Sequence, residues 1–201
     1  MRYTAQQKQA SRERILQAAA RAFRAQGFDR PSVASIMKDA GLTHGAFYAH
    51  FDSKDRLVAE VIRAGFDGVT ERFESRFRQA EGDEWLRQWV RGYLSDGHLG
   101  QPEAGCPLPT LSAEIARTGP EAIHAYTEVF RERLGRMVNR VDAADDEARR
   151  RVLASLSLMV GALMLARALE APLSEELLVA ARGVAEGLLV EGVATTAREA
   201  A

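Results

Sequence analysis

The sequence predicts an all-α protein of about nine helices, with three short helices in front and six behind. Apolar residues recur at helical spacing along nearly the whole chain, and no segment alternates convincingly as a half-buried strand does. Glycine, proline, serine and threonine separate the apolar stripes at positions typical of helix starts and ends. These observations predict a small N-terminal three-helix unit followed by a larger helical body.

The first two helices have recognisable ends. An apolar stripe over residues 15–23 predicts the first helix, and Gly27 is placed to end it. Ser32 can cap a second helix, whose apolar face is closed by Gly41. The turn between the second and third helices is therefore tight.

A third, very short helix follows, and then a long one. Thr43 is the predicted cap of the short helix, which places Phe47 and Phe51 on one side at a spacing of four residues. Ser53 can cap the long fourth helix, which the apolar pattern carries as far as Phe77.

The remaining helices are bounded by breaker residues. The segment 97–109 is rich in glycine and proline and is predicted to be a loop, followed by a short helix to about Arg117. The other helix starts are predicted near Gly82, Pro120, Asp145 and Pro172.

Composition and charge limit the class of protein. Residues 1–64 hold 11 Lys/Arg and 6 Asp/Glu, a net charge of +5, whereas residues 65–201 carry −6. A basic head on an acidic body indicates that the head alone meets a polyanion, with a chance fluctuation among solvated faces as the alternative. The single cysteine excludes an internal disulfide framework and fits a reducing cytoplasm.

Several other classes are not expected. The sequence has no apolar stretch long enough for a membrane span and no apolar signal core in its polar N-terminus. Its four histidines and one cysteine show no metal-ligand spacing, and no glycine-rich phosphate loop is present. We therefore expect a cytoplasmic protein without a metal or other cofactor, and not an enzyme. A helical scaffold that binds no DNA, or a cysteine-dependent enzyme, remains as an alternative.

Three helices joined by such a tight turn match a helix-turn-helix unit, whose last helix enters the major groove of DNA. Small residues on that helix let its backbone approach the DNA, and polar or charged side chains around it can bind phosphates. The bland alternatives are a packing accommodation for the glycine, a structural tyrosine and a histidine that caps a turn. The residues concerned are Thr43, Gly45, Ala46, Tyr48, His50 and Lys54.

Residues 11–62 resemble the DNA-binding domain of the TetR family of bacterial repressors. They contain I-L-x-A-A, F-x-x-x-G-F, S-V-x-x-I, A-G-L-T-x-G-x-F-Y-x-H-F and S-K-x-x-L. The resemblance implies a DNA-binding domain over residues 1–52, a sensor and dimerisation domain over residues 53–201, and a palindromic double-stranded operator. It also implies a homodimer and repression that a small-molecule inducer or an electrophile relieves.

The resemblance also assigns roles to individual residues. Phosphate contacts are implied for Ser32, Thr43, Tyr48, His50 and Lys54, and positions beside the bases for Ser35, His44, Gly45 and Ala46. Lysine is frequent in the family at the position of His44, so a weaker and pH-sensitive contact is implied here.

The last two helices carry more apolar positions than one buried face needs. Two wide apolar stripes with small residues are what a four-helix dimer interface requires, and the resemblance implies the same interface. An intramolecular core is the alternative. The predicted interface residues are Leu156, Val160, Leu163, Leu178, Ala181, Val184, Ala185 and Leu188.

The middle of the chain is the predicted sensor. Aromatic side chains there can line a pocket for an apolar or aromatic ligand, although such stripes are more often ordinary core. They include Phe73, Trp85, Trp89, Tyr93, Tyr126 and Phe130.

Cys106 offers a second mode of sensing. It directly precedes Pro107, a residue favoured in the first turn of a helix, and a helix N-terminus lowers the pKa of a thiol. The segment resembles the family branch of the N-ethylmaleimide-reductase repressors, where a G-C…L-S-A-E stretch holds a reactive thiol. Two prolines and the lack of an adjacent Lys or Arg depart from that pattern, and a small hydrophobic role for Cys106 is the alternative.

Overall fold

A computed structural model of the chain describes residues 5–102, 105–142 and 145–191, apart from the side chains of residues 66–72, 145 and 191. Within these ranges the fold is all-helical, as predicted, and contains nine α-helices. They are α1 Ala5–Gln26, α2 Val33–Asp39, α3 Lys54–Glu74, α4 Gly82–Tyr93, α5 Asp96–Leu99, α6 Pro107–Ile115, α7 Pro120–Val138, α8 Asp145–Ala166 and α9 Leu173–Glu186. Short 3₁₀ helices cover His44–Ala49 and Ser75–Phe77, and a π-helical turn covers Gly187–Glu191.

Most predicted helix ends are present. Gly27 and Gly41 have φ values of 78° and 66°, the left-handed conformation that ends α1 and α2 at low cost only for glycine. The Ser32 hydroxyl accepts the Ser35 N–H at the start of α2, and the Ser53 hydroxyl accepts the Arg56 N–H at the start of α3.

Three local predictions are wrong. Thr43 precedes the 3₁₀ helix with an extended backbone, but its side chain makes no capping hydrogen bond. The predicted loop 97–109 contains the end of α5 and the start of α6, because the Ser95 hydroxyl caps α5 and Pro107 suits the first turn of α6. The long fourth helix, α3, ends at Glu74 and tightens into the 3₁₀ turn that reaches Phe77.

The described chain divides into two compact units. The first unit comprises Met1–Thr70 and Gly105–Phe130, and the second comprises Glu71–Ala104 and Arg131–Ala201. The first unit therefore includes α6 and the first half of α7 together with the N-terminal helices. The predicted boundary at residue 52 stays a prediction.

Each unit has its own apolar core. In the first unit, Phe23, Ile36, Phe47 and Leu57 are almost fully buried. In the second unit, α8 packs along α9, and the buried Arg151 closes the end of this pair by donating to the carbonyl oxygens of Leu188 and Leu189. This satisfies carbonyls that a helix end otherwise leaves unpaired.

Over the part of the chain that the structure describes, none of the helices is both long and apolar enough to cross a membrane. The same described residues contain no group of three or more histidine, cysteine, aspartate or glutamate side chains placed to hold a metal ion.

Candidate nucleic-acid interface

The short 3₁₀ helix His44–Ala49 presents one side to the core and the other to solvent. Phe47 is 1% exposed, and its ring lies 5.7 Å from that of Phe51, so these two side chains anchor the segment. The backbone is closed by the Ala46 N–H on the Thr43 carbonyl and the His50 N–H on the Phe47 carbonyl. Four residues of this helix are exposed: His44, Gly45, Tyr48 and Ala49.

Gly45 is exposed, and no contact among the described residues requires a glycine at this position. A Cβ built at Gly45 meets no heavy atom within 4 Å, and its backbone does not have a positive φ. The alternative that Gly45 accommodates internal packing is therefore not supported. Close approach of the backbone at Gly45 to DNA stays a prediction.

The other residues predicted to lie beside the bases surround Gly45. His44 is exposed, and its ring lies edge-on to that of Tyr48 with 5.9 Å between centroids. Ala46 is half-buried, whereas Ser35 is exposed and its hydroxyl donates to the Ser32 carbonyl.

Two of the predicted phosphate contacts, Thr43 and Tyr48, are exposed hydroxyls. Tyr48 is 60% exposed, with its ring packed edge-on against Phe47. Thr43 is also exposed, and its side chain does not cap the helix. Tyr48 is too exposed for a purely structural tyrosine, which leaves its hydroxyl able to reach a phosphate.

Ser32 and Lys54 each make one internal hydrogen bond and keep others available. The Ser32 hydroxyl accepts from Ser35, so its own proton can still be donated. The Lys54 ammonium donates to the Asp29 carbonyl at 3.0 Å and has two further protons. Both side chains can therefore bind a phosphate without losing these internal bonds.

His50 is half-buried, and its Nδ1 atom is buried without a hydrogen-bond partner among the described residues. It does not cap a neighbouring turn through that atom. Burial lowers the pKa of His50 below its usual value, and the positive charges of Lys8 and Arg12 lower it further. These surroundings favour the neutral form of the His50 imidazole over its charged form.

Lys8 and Arg12 are functional candidates that the sequence reasoning missed. Both lie on α1, four residues apart, and their charges act on His50. Arg12 also lies over the Phe51 ring at 5.2 Å and pairs with Glu60 at 2.9 Å. Their spacing of four residues was the available signal, because it places two cations on one face of a helix.

The predicted sensor residues divide between the two units. In the first unit, Cys106 directly precedes α6 as predicted and is half-buried. The Tyr126 hydroxyl lies 2.5 Å from that of Ser112, and the pKa of Tyr126 is raised, first by burial and to a lesser extent by Cys106. Phe130 stacks on Tyr126 with 6.4 Å between centroids.

The aromatic residues of the second unit pack on one another. Trp85 and Trp89 stack with centroids 6.4 Å apart, and Tyr93 continues the row at 5.7 Å from Trp89. These three side chains are at least nine-tenths buried, and Phe73 lies edge-on to Tyr93. This arrangement is that of a packed aromatic core, and a ligand pocket at these residues stays a prediction.

A small cavity lies elsewhere, in the first unit, between α1, α3 and the start of α6. Its lining includes Phe23, Val61, Ile62 and Leu111, and it has room for about one water molecule. The cavity is far smaller than a typical pocket for a small organic ligand.

The predicted dimer residues do not share one environment. Leu163, Leu178 and Ala185 are fully buried within the second unit, and Leu156 and Ala181 nearly so, because they fill the space between α8 and α9. Val160 and Leu188 are half-buried, whereas Val184 is 56% exposed. Met164, which belongs to the predicted apolar stripe, is 40% exposed. The exposed apolar residues of the same helices and their connection that the sequence reasoning missed are Leu165, Leu169, Leu173 and Val179.

A tight turn at Gly41 joins α2 to the 3₁₀ helix His44–Ala49, which buries Phe47 on one side and exposes small residues on the other. This arrangement is that of a helix-turn-helix unit. Comparison with known proteins finds a family that matches part of the N-terminal region. The family described as "Bacterial regulatory proteins, tetR family" matches residues 15–61. The N-terminal region of the chain, over residues 15–61, therefore resembles the TetR family of bacterial regulatory proteins.

Curated relatives match over less than half of the chain. The chain is 36% identical over 86 residues to the probable HTH-type transcriptional regulator ArpR of Pseudomonas putida, covering 43% of this chain and 39% of ArpR. It is 36% identical over 84 residues to the HTH-type transcriptional regulator TtgR of Pseudomonas putida, covering 42% of this chain and 38% of TtgR. The chain thus spans about two fifths of the length of these relatives.

Solved structures share the fold over most of the chain. The reduced form of Escherichia coli NemR superimposes with a TM-score of 0.71 at 19% identity, covering 90% of this chain and 97% of NemR. SCO4454, a TetR-family transcriptional regulator from Streptomyces coelicolor, gives a TM-score of 0.68 at 20% identity, covering 90% and 95%. At these identities the likeness shows the fold alone.

Proposed function

We propose that the protein is a DNA-binding transcriptional repressor whose 3₁₀ helix His44–Ala49 enters the major groove of an operator. The observation that carries this proposal is Gly45, an exposed glycine whose missing side chain leaves open space on the outside of the protein. The hydroxyl-bearing side chains of Thr43 and Tyr48 are exposed at this helix, and Lys54 begins the next helix. Such groups bind phosphates and fix the helix in the groove.

Charge supports a polyanionic partner. Residues 1–64 carry a net charge of +5, and Lys8 and Arg12 lie close enough to His50 to lower its pKa. Cations around the reading helix supply the sequence-independent part of DNA affinity. The relatives ArpR and TtgR, each 36% identical to part of this chain, are named as transcriptional regulators.

A homodimer on a palindromic operator completes the proposal. Leu165, Leu173, Val179 and Val184 are each more than half exposed in the second unit, an unusual exposure for such side chains. A second copy of the chain would cover this apolar surface, and two copies would read two half-sites with increased affinity. Gly161 and Gly183, on α8 and α9, leave open space where a partner's helix can approach closely.

Release of the operator is proposed to follow a signal at the first unit. Cys106 precedes α6, and its neighbours Ser112 and Tyr126 make a short hydrogen bond. An electrophile or oxidant that modifies Cys106 would have to disturb this half-buried arrangement. A small apolar ligand that binds without a covalent bond is the second candidate signal, supported by the aromatic row Trp85–Tyr93.

The test is binding of the full-length protein to the duplex immediately upstream of its own coding region, measured by fluorescence anisotropy over a series of salt concentrations. We expect specific binding whose affinity falls steeply as salt rises, because bound phosphates release counterions. Tyr48→Phe and Lys54→Ala should each weaken binding by about tenfold, the value of one charge-assisted hydrogen bond. Equal affinity for this duplex and for one of shuffled sequence would favour a scaffold that does not read DNA.

A further inference from the structure

The turn that follows α1 is held from two sides. Gly27 ends the helix, and Phe28 is 2% exposed with its ring 5.3 Å from that of Phe23. The Phe28 N–H donates to Glu114 Oε2 at 2.8 Å, and the Asp29 carbonyl accepts from the Lys54 ammonium at 3.0 Å. We call residues 27–29 the anchor turn.

Glu114 fits closely against the anchor turn. A Cβ at Gly27 would lie 2.4 Å from Glu114 Oε2, so the carboxylate occupies the space that a side chain would need. Glu114 lies in the last turn of α6, the helix that begins directly after Cys106. The hydrogen bond joins residues 86 positions apart in the sequence and links α6 to the helix-turn-helix.

The residue after Lys54, Asp55, is also held by a contact within the protein, through its own carboxylate. Asp55 Oδ2 accepts the Glu121 N–H at the start of α7 at 3.2 Å, and a Cβ at Gly119 would lie 2.5 Å from the same oxygen. Lys54 is therefore fixed through the anchor turn, and Asp55 through the start of α7. The first turn of α3 is held by two contacts that involve no DNA.

We propose that Glu114 is a positioning residue for DNA binding, which holds Lys54 in place through the anchor turn. This inference rests on the proposed function, because it takes Lys54 to bind an operator phosphate. Glu114 holds the Phe28 N–H, and the carbonyl of the following residue, Asp29, holds the Lys54 ammonium. The Lys54 side chain is therefore already ordered when it contacts the DNA. Ordering a side chain before binding removes an entropy cost that binding would otherwise carry.

The two hydrogen bonds, Phe28 to Glu114 and Lys54 to Asp29, connect α6 to the proposed DNA contact at Lys54. A hydrogen bond weakens steeply once its donor and acceptor move apart by a few tenths of an ångström beyond about 3.2 Å. A small displacement or rotation of α6 therefore releases the anchor turn and, with it, Lys54. A change at Cys106, at the opposite end of α6, would need no large movement to alter affinity.

The test compares variants of the full-length protein on the duplex that the wild-type protein binds. We expect Glu114→Ala to weaken binding about fivefold and to reduce the salt slope by about one per protomer, as loss of the Lys54 contact does. The double variant Glu114→Ala/Lys54→Ala should bind no more weakly than Lys54→Ala alone, because both changes remove the same contact. Glu121→Ala, an exposed carboxylate of the same unit whose backbone N–H is kept, is the matched control and should bind as the wild type does.

A merely structural role predicts different results. It gives additive losses in the double variant and an unchanged salt slope, and either result overturns the proposal. If Glu114→Ala does not fold, Glu114→Gln carries the test, because it keeps the shape and one acceptor oxygen but loses the charge. We expect Glu114→Gln to bind about twofold more weakly with a reduced slope, and wild-type affinity and slope in this variant would overturn the proposal.

Failure of this inference and failure of the proposed function are distinguishable. If the wild type binds and Glu114→Ala binds equally well, only the inference fails. If the wild type binds no DNA, the proposed function fails and the role in DNA binding fails with it. Hydrogen exchange of the Phe28 amide, measured without DNA, tests the contact itself: it should be faster in Glu114→Ala than in Glu121→Ala, and equal rates would contradict the contact.

Discussion

Replacing Gly45 should separate folding from DNA binding. A Cβ at Gly45 meets no heavy atom within 4 Å, and the backbone needs no positive φ. Gly45→Ala should therefore leave the free energy of unfolding unchanged or raise it by up to about 1 kcal/mol, because alanine restricts the unfolded chain and favours a helix. Gly45→Leu should also fold, since its side chain would point into solvent.

The same changes should impair DNA binding by a predictable amount. Carbon atoms in contact lie about 3.5 to 4 Å apart, so an added Cβ, which extends about 1.5 Å from the backbone, forces the helix to recede from the bases. Receding by about 1 Å stretches hydrogen bonds of about 2.9 Å beyond their useful range. Loss of one charge-assisted bond costs about 1.5 to 3 kcal/mol, or roughly 10- to 100-fold in affinity. We expect about 10-fold for Gly45→Ala and about 100-fold for Gly45→Leu.

The assay pairs thermal unfolding with anisotropy on a labelled operator duplex. Gly135→Ala is the matched control, because Gly135 is also exposed, helical and without heavy atoms within 4 Å of its missing Cβ, but lies in α7 outside the helix-turn-helix. Gly135→Ala should match the wild type in affinity. If Gly45→Leu binds the operator as tightly as Gly135→Ala does, the close approach of the 3₁₀ helix to DNA is refuted.

Three further predictions concern titration, assembly and sensing. Burial and two neighbouring positive charges lower the pKa of His50 in the free protein, and a phosphate would raise it, so DNA binding should take up a proton and tighten as pH falls from about 7.5 to about 5.5. His50→Gln should flatten this dependence, and an equal slope in both proteins would show that His50 does not titrate on binding. Leu165→Glu/Val184→Glu should convert a dimer to a monomer in sedimentation velocity, while Ile123→Glu, which replaces a 42% exposed side chain of the first unit, should not; a persisting dimer would place the interface elsewhere. N-ethylmaleimide should release the wild-type protein from DNA but leave Cys106→Ser bound, and equal release of both would exclude the thiol as the switch.

The sequence predicted those features that depend on neighbouring residues. Two kinds of helix boundary are confirmed: the helix ends at Gly27 and Gly41, and the serine caps at Ser32 and Ser53. Each of them depends on backbone groups only a few positions away. The class of protein was predicted for the same reason, since the helix-turn-helix is one short continuous segment. The side-chain cap predicted at Thr43 is wrong. The helix that follows Thr43 is a 3₁₀ helix of only six residues, and the Thr43 side chain accepts no hydrogen bond from it.

Features that depend on packing between distant segments could not be predicted from the sequence. The bond between Glu114 and Phe28 joins helices whose proximity no local pattern records. The apolar stripes of α8 and α9 were identified, but their division into a buried and an exposed face was not. Leu163 and Leu178 lie in the core while Leu165 and Val179 face outwards, because the rotation of each helix is fixed only when it packs on the other.

The most direct test of the central claim is a hydroxyl-radical footprint of the full-length protein on the DNA upstream of its own coding region. A dimer with two helix-turn-helix units should protect two blocks related by symmetry, with centres about one helical turn apart or a multiple of it. The protection should disappear as salt rises and should require several-fold more of the Gly45→Ala protein. Uniform protection along the duplex, or protection that Gly45→Leu reproduces at the same protein concentration, would contradict sequence reading by this helix.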